Sequence, residues 1–134
     1  MDALIIEGTE FTPDVVMDPG SNRFEMSGES RPENASKFYE AILNWMDNYH
    51  SLRYWRDSKF DDNSNSTVFE FRLEYFNSTS AKFILDILKK IEIFRKDDMN
   101  VTVKWYYEEL DIDMKESGEE FASMTGIPFE YIVV

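Results

Sequence analysis

The stretch Thr67-Val68-Phe69-Glu70-Phe71-Arg72-Leu73-Glu74-Tyr75-Phe76-Asn77-Ser78-Thr79-Ser80-Ala81-Lys82 changes its period partway along. Up to Phe76, the residues Phe69, Phe71, Leu73 and Tyr75 alternate with Glu70, Arg72 and Glu74, which predicts a strand with one apolar face. From Ala81 onward, Ile84, Leu85, Leu88 and Ile91 fall on one helical stripe, widened by Phe83, Ile87 and Phe94. A strand therefore runs straight into a helix, and a turn bearing three hydroxyls joins them.

The same alternation of periods continues on both sides. C-terminally, Val101, Val103 and Trp105 alternate with Thr102, Lys104 and Tyr106; a helical stripe of Met114, Gly118, Phe121 and Ala122 then stops at Gly126 and Pro128, and Phe129, Tyr131 and Val133 form a closing strand. N-terminally, Ala35, Phe38, Tyr39, Ile42, Trp45, Met46 and Tyr49 define an amphipathic helix, and Ser30-Arg31-Pro32-Glu33 before it has capping-box spacing. Residues 51–66 lack a sustained period and read as a loop, with Tyr54, Trp55 and Phe60 anchoring its first half. Upstream, the turn residues 18–22 lead into the alternating Phe24 and Met26, and residues 4–8 and 15–17 are short strand candidates separated at Pro13.

The order read from these segments is strand, strand, helix, strand, helix, strand, helix, strand, an α/β pattern with crossover helices. Strands buried on both faces would be apolar throughout, whereas these place a polar residue at every second position. The expected architecture is a mixed sheet with helices mainly on one face and a wet opposite face. At 134 residues and 43% apolar content, the chain is expected to form a single domain, 1–134.

Composition narrows the function. The chain has no cysteine, which removes thiol catalysis, disulfides and cysteine–zinc sites and is compatible with a reducing cytoplasm. No apolar run approaches the length that spans a bilayer, and the first residues do not resemble a signal peptide, so the expected location is cytoplasmic without membrane insertion. A formal net charge of −13 and a pI near 4.4 argue against nucleic acid and favour a protein partner.

Candidate chemistry is sparse. His50 is the sole histidine and falls at the expected end of the first helix, where a structural role beside the helix dipole suffices. Glu108, Glu109, Asp111, Asp113, Glu116, Glu119 and Glu120 crowd one region and could serve an acidic metal-dependent enzyme, but their spacing is not that of a calcium loop and carboxylates suit a helix start. Phosphate-binding glycine loops and nucleophile elbows are absent from the sequence. Trp105-Tyr106-Tyr107 reads as core packing, since no basic groove accompanies it. No catalytic residue, metal or cofactor is therefore expected.

Asn77, Ser78, Thr79 and Ser80 admit two readings. Small polar residues at a strand-to-helix junction are what capping requires. The free N–H groups and dipole of a helix start also favour a negative group, so a phosphorylated hydroxyl would be stabilised there. The junction lies at the carboxyl end of a parallel strand, where open α/β sheets place their sites.

Several segments in order carry a family resemblance: Gly8-Thr9 with Thr12-Pro13; Ser27-Gly28-Glu29-Ser30-Arg31-Pro32-Glu33-Asn34; Leu73-Glu74-Tyr75-Phe76-Asn77-Ser78-Thr79-Ser80 with Lys82; Trp105-Tyr106-Tyr107; Gly118-Glu119-Glu120-Phe121; and Pro128-Phe129. With these the chain resembles the SiaC family of bacterial regulatory phosphoproteins, similar in fold to STAS-type anti-sigma-factor antagonists. The resemblance implies a STAS-like sandwich and a non-enzymatic switch. In such a switch a partner Ser/Thr kinase phosphorylates the hydroxyl residue after the asparagine, here Ser78, and a partner phosphatase resets it. It also implies a target protein, a diguanylate cyclase in the family's characterised branch, bound by the unphosphorylated form through residues 77–80 and Lys82. The family pattern places threonine before serine after the asparagine; here Ser78 precedes Thr79, which makes Thr79 a rival acceptor. A constitutive scaffold, in which these hydroxyls only cap a helix, and a carboxylate-based metal enzyme are the competing readings.

Overall fold

A computed structural model of the chain describes residues 1–60, 66–97 and 100–134. Among these residues, strands β1 (Leu4–Ile6), β2 (Asp14–Asp18), β3 (Arg23–Ser30), β4 (Thr67–Phe76), β5 (Val101–Tyr107) and β6 (Phe129–Val133) form one six-stranded sheet in sequence order. The helices are α1 (Ala35–Phe60), α2 (Ser78–Lys96) and α3 (Ile112–Thr125). Strands β1 to β3 pair antiparallel, whereas β3 to β6 pair parallel, each parallel step crossed by one helix. Right-handed crossovers that all step the same way leave their helices on the same face. The expected α/β class and mixed sheet with one covered face follow from that topology.

Register separates the two faces cleanly. Leu4, Met17, Phe24, Phe69, Val103 and Phe129 align across the sheet on the helix side. They pack with Tyr39, Ile42 and Met46 of α1, with Ile84, Ile87, Leu88, Ile91 and Phe94 of α2, and with Met114 and Phe121 of α3. The adjacent row on the opposite face reads Ile5, Val16, Glu25, Glu70, Lys104 and Glu130. That face is polar but not uniformly wet: Tyr106 is buried on it, because the Arg72 guanidinium lies 3.9 Å from its ring centre and its hydroxyl donates to Glu70 at 2.5 Å.

Four expectations need correction. Three strands precede α1, since both short N-terminal candidates form and Pro13 lies in their connection rather than in a ladder. Helix α1 runs on to Phe60, so residues 51–60 are helix and not loop; backbone hydrogen bonding continues although the apolar stripe has stopped. Residues 61–65 lie outside the described residues, as do the proposed anchoring contacts of Tyr54, Trp55 and Phe60. Ser30 does not cap α1: it stays paired with Phe76 in the sheet, and Asn34 takes over, accepting from the Lys37 amide at 3.1 Å. His50 consequently sits within α1, bonded through Nε2 to Asp97 Oδ2 at 2.7 Å beyond the end of α2 and stacked on Phe94.

The fourth correction shapes the site. Gly28 pairs with Leu73, but Glu29 pairs with Tyr75, so β4 carries one residue more than β3 across this step. Gly28 adopts φ 101°, a conformation that favours glycine, at the same bulge. Because side chains alternate, the extra residue inverts the faces beyond it. Tyr75, expected in the core beside Leu73, is 49% exposed, whereas Phe76 turns inward onto Trp105 and Phe121.

Candidate functional site: the start of helix α2

The bulge delivers Asn77 to the carboxyl end of β4 with its amide donating to the Ser30 carbonyl at 3.1 Å. Asn77 is the N-cap of α2: its backbone is extended, and its side-chain oxygen accepts from the Ser80 amide at 2.9 Å. Ser78 and Thr79 are therefore the first two helical residues, the positions whose amides have no partner within the helix. Both are exposed, and among the described residues nothing engages their hydroxyls. No acidic residue lies in the first turn of α2, although the chain carries 27 carboxylate residues. The positive end of the helix dipole is thus left without a carboxylate of its own.

The five residues expected at the site do not share one surface. Ser78, Thr79 and Lys82 are exposed; Asn77 is half-buried; Ser80 is completely buried. The Lys82 ammonium lies 4.9 Å from the ring centre of Phe83. Ser80 cannot meet a partner directly in this conformation, because its hydroxyl donates to the Ser30 carbonyl at 3.0 Å and accepts from the Ser30 hydroxyl at 2.9 Å. Ser30 Oγ also lies 2.5 Å from the hydroxyl of Tyr39 in α1, and both residues are fully buried. Burial pushes the Tyr39 phenol above its usual range, although the Ser30 and Ser80 hydroxyls oppose that shift.

Ser30 and Tyr39 were not expected at the site. Ser30 lies inside one of the segments carrying the family resemblance, but its role required knowing that β3 ends beside the start of α2. Tyr39 reads only as one member of an amphipathic stripe.

Other candidates are placed elsewhere. Asp111 caps α3, accepting from the Met114 amide at 3.0 Å. Among the described residues, no three His, Cys, Asp or Glu side chains come together to hold a metal ion. A groove of about 710 Å³ lies toward the carboxyl ends of β3, β4 and β5, lined in part by Asp14, Arg72, Glu74, Tyr106, Asp111 and Met114, and none of residues 77–82 lines it. Among the described residues, no helix is long and apolar enough to cross a membrane.

Comparison with known proteins points to the same kind of molecule. An uncharacterised protein of Pseudomonas aeruginosa strain UCBPP-PA14 is 28% identical, over 96% of this chain and 94% of that one. The crystal structure of apo-SiaC from Pseudomonas aeruginosa superposes with a TM-score of 0.83 at 27% identity, covering 99% of this chain and 100% of that chain. A chain in the crystal structure of the diguanylate cyclase SiaD in complex with its activator SiaC, also from Pseudomonas aeruginosa, gives 0.82 at 27% identity, covering 98% and 99%. The model of the SiaC family regulatory phosphoproteins matches residues 6–134. With that match spanning nearly its whole length, the chain belongs to the SiaC family of regulatory phosphoproteins.

Proposed function

We propose that the protein is a non-enzymatic switch, acting as one unit over residues 1–134, in which phosphorylation of Ser78 releases a bound diguanylate cyclase. The observation that carries this reading is the exposed Ser78 hydroxyl, first in a capped helix whose opening turn holds no carboxylate. A phosphate there would be stabilised by the helix dipole and unpaired amides while adding roughly −1.5 to −2 charges to a neutral patch. Docking that fits the neutral hydroxyls would be lost by charge and bulk, a local event with a binding readout. Membership of a regulatory phosphoprotein family supports the switch, and the SiaD–SiaC complex supports the choice of target. A Ser/Thr kinase and a phosphatase complete the cycle, in a cytoplasm that the cysteine-free sequence suits.

Ser78 is the acceptor in this reading, and Thr79, exposed beside it, is its rival. Asn77 and Lys82 contribute to the partner-facing surface, and Ser80 contributes from behind. The test is binding to a diguanylate cyclase from the organism that makes this chain, using wild type, Ser78→Ala and Ser78→Asp. Retention by the first two and loss by the third is expected; equal retention by all three removes the switch. Thr79→Asp run in parallel decides between the acceptors.

A further inference from the structure

Residues 78–80 are three consecutive hydroxyl residues that the fold treats unequally, two facing solvent and one fully buried. The buried contacts run in one direction. Ser80 has one hydroxyl hydrogen, which goes to the Ser30 carbonyl at 3.0 Å. Ser30 has one, which goes to Ser80 Oγ at 2.9 Å. Across the 2.5 Å contact between Ser30 and Tyr39, only the phenol still has a hydrogen to give. The chain therefore runs Tyr39 to Ser30 to Ser80 to the Ser30 carbonyl, with each donor used once. Among the described residues, no buried side-chain polar atom is left unsatisfied.

This arrangement does something the N-cap does not. Asn77 fixes where the helix begins, but it does not fix how the helix is rotated about its axis against the sheet. Successive residues point about 100° apart, so a slip of one position would bring Thr79 or Ala81 to the place of Ser80. Alanine has no hydroxyl for the relay, and threonine would bring a methyl group into a closed site. Tyr39 also stacks on Phe83 with centres 5.3 Å apart and planes 4° from parallel, which ties the next turn of α2 to α1.

Resting on the switch reading above, we infer that Tyr39, Ser30 and Ser80 are positioning residues for the phosphosite: their buried relay locks the rotation of α2, withholds Ser80 from modification and holds Ser78 outward. None of the three touches a modifying enzyme or the phosphate. They act through the first turn of α2, and their effect is on which hydroxyl is presented.

Amide hydrogen exchange on the unphosphorylated full chain tests the lock, comparing wild type with Tyr39→Phe and Ser30→Ala. The Asn77 and Ser80 amides, bonded to the Ser30 carbonyl and the Asn77 side chain, are expected to exchange about fivefold faster in both variants, the scale of one net hydrogen bond. Exchange at Ile87, in the middle of the same helix, is expected to stay within about twofold of wild type. A uniform acceleration along α2, or none at all, overturns the lock. Should Ser30→Ala fail to fold, Tyr39→Phe, which removes only the first donor, carries the test. Peptide mass spectrometry of both proteins from the native cell reads the consequence: Tyr39→Phe should lose several-fold of the phosphate at Ser78 or spread it to Thr79 and Ser80. Phosphate on wild-type Ser78 with unchanged occupancy in Tyr39→Phe overturns the positioning role and leaves the switch standing. A wild type with no phosphate at residue 78 or 79 overturns the switch and with it that role, while the exchange result still judges the lock.

Discussion

The Ser80 hydroxyl donates to the carbonyl of Ser30, 50 residues earlier in the sequence, across a fully buried 3.0 Å contact. Through it the end of β3 holds the start of α2, so local stability and presentation of the exposed hydroxyls share one origin.

Removing members of this relay should cost unequally. Ser80→Ala leaves the Ser30 hydroxyl without its acceptor in a closed site and is expected to destabilise by about 1–3 kcal/mol. Tyr39→Phe leaves Ser30 still donating and should cost about 1 kcal/mol. Urea unfolding of both single variants and the double checks the order, and because the groups are in contact the double should differ from the sum.

Tyr39 also predicts an alkaline effect. Its pKa is raised above the ordinary value of 10.0, chiefly by burial, so the folded state keeps the phenol protonated where the unfolded chain has begun to lose its proton. This contribution to stability is fully present below the unfolded value and is lost as pH rises through the folded one. The stability advantage of wild type over Tyr39→Phe should therefore shrink above pH about 10, as thermal unfolding between neutral and strongly alkaline buffers would show.

On the opposite face, Glu70 predicts the acid counterpart. Burial pushes its carboxyl up, but the Tyr106 hydroxyl, Arg72 and smaller contributions outweigh this and hold it below the ordinary 4.5. A depressed carboxyl stabilises above its unfolded pKa and loses that contribution as pH falls through the folded one. Tyr106→Phe should move the Glu70 titration upward by NMR and narrow the stability gap to wild type in acid relative to neutral pH. An unmoved titration would show that the 2.5 Å contact does not set it.

Gly118 lies against the Trp105 indole so closely that an added Cβ would fall 2.5 Å from Cδ1 and 2.6 Å from Nε1. The ring cannot easily yield, since Trp105 is fully buried and its Nε1 donates to the Met114 carbonyl at 2.9 Å. Gly118→Ala should displace α3 from the sheet, cost about 1–3 kcal/mol by overpacking and change the tryptophan fluorescence. Gly126→Ala, in open space but at φ 77°, should cost about 1 kcal/mol with unchanged fluorescence.

Legibility in the sequence tracked how local each cause was. The alternation Phe69, Phe71, Leu73 and the stripe Ile84, Leu88, Ile91 are repeated local signals, and they placed β4 and α2 correctly. The continuation of α1 past His50 was missed because residues 51–60 follow no apolar stripe, so helix-forming backbone carried it without a periodic mark. The extra residue in β4 left no mark either: Tyr75 continues the pattern of Leu73, and only pairing with β3 across the Gly28 bulge shows that the faces have swapped. At the site, a capped helix start within residues 77–80 was legible from residue type and position, but that Asn77 is the cap and that Ser78 and Thr79 are exposed follows from the structure. The inward turn of Ser80 was not legible, since its acceptor and donors come from β3 and α1.

The most direct measurement is intact-mass and peptide mass spectrometry of the protein purified from its native cell, with and without phosphatase treatment. The switch predicts a single added phosphate, removed by the phosphatase and located on Ser78. A chain that never carries phosphate in any growth condition, or carries it only outside residues 78 and 79, would contradict it.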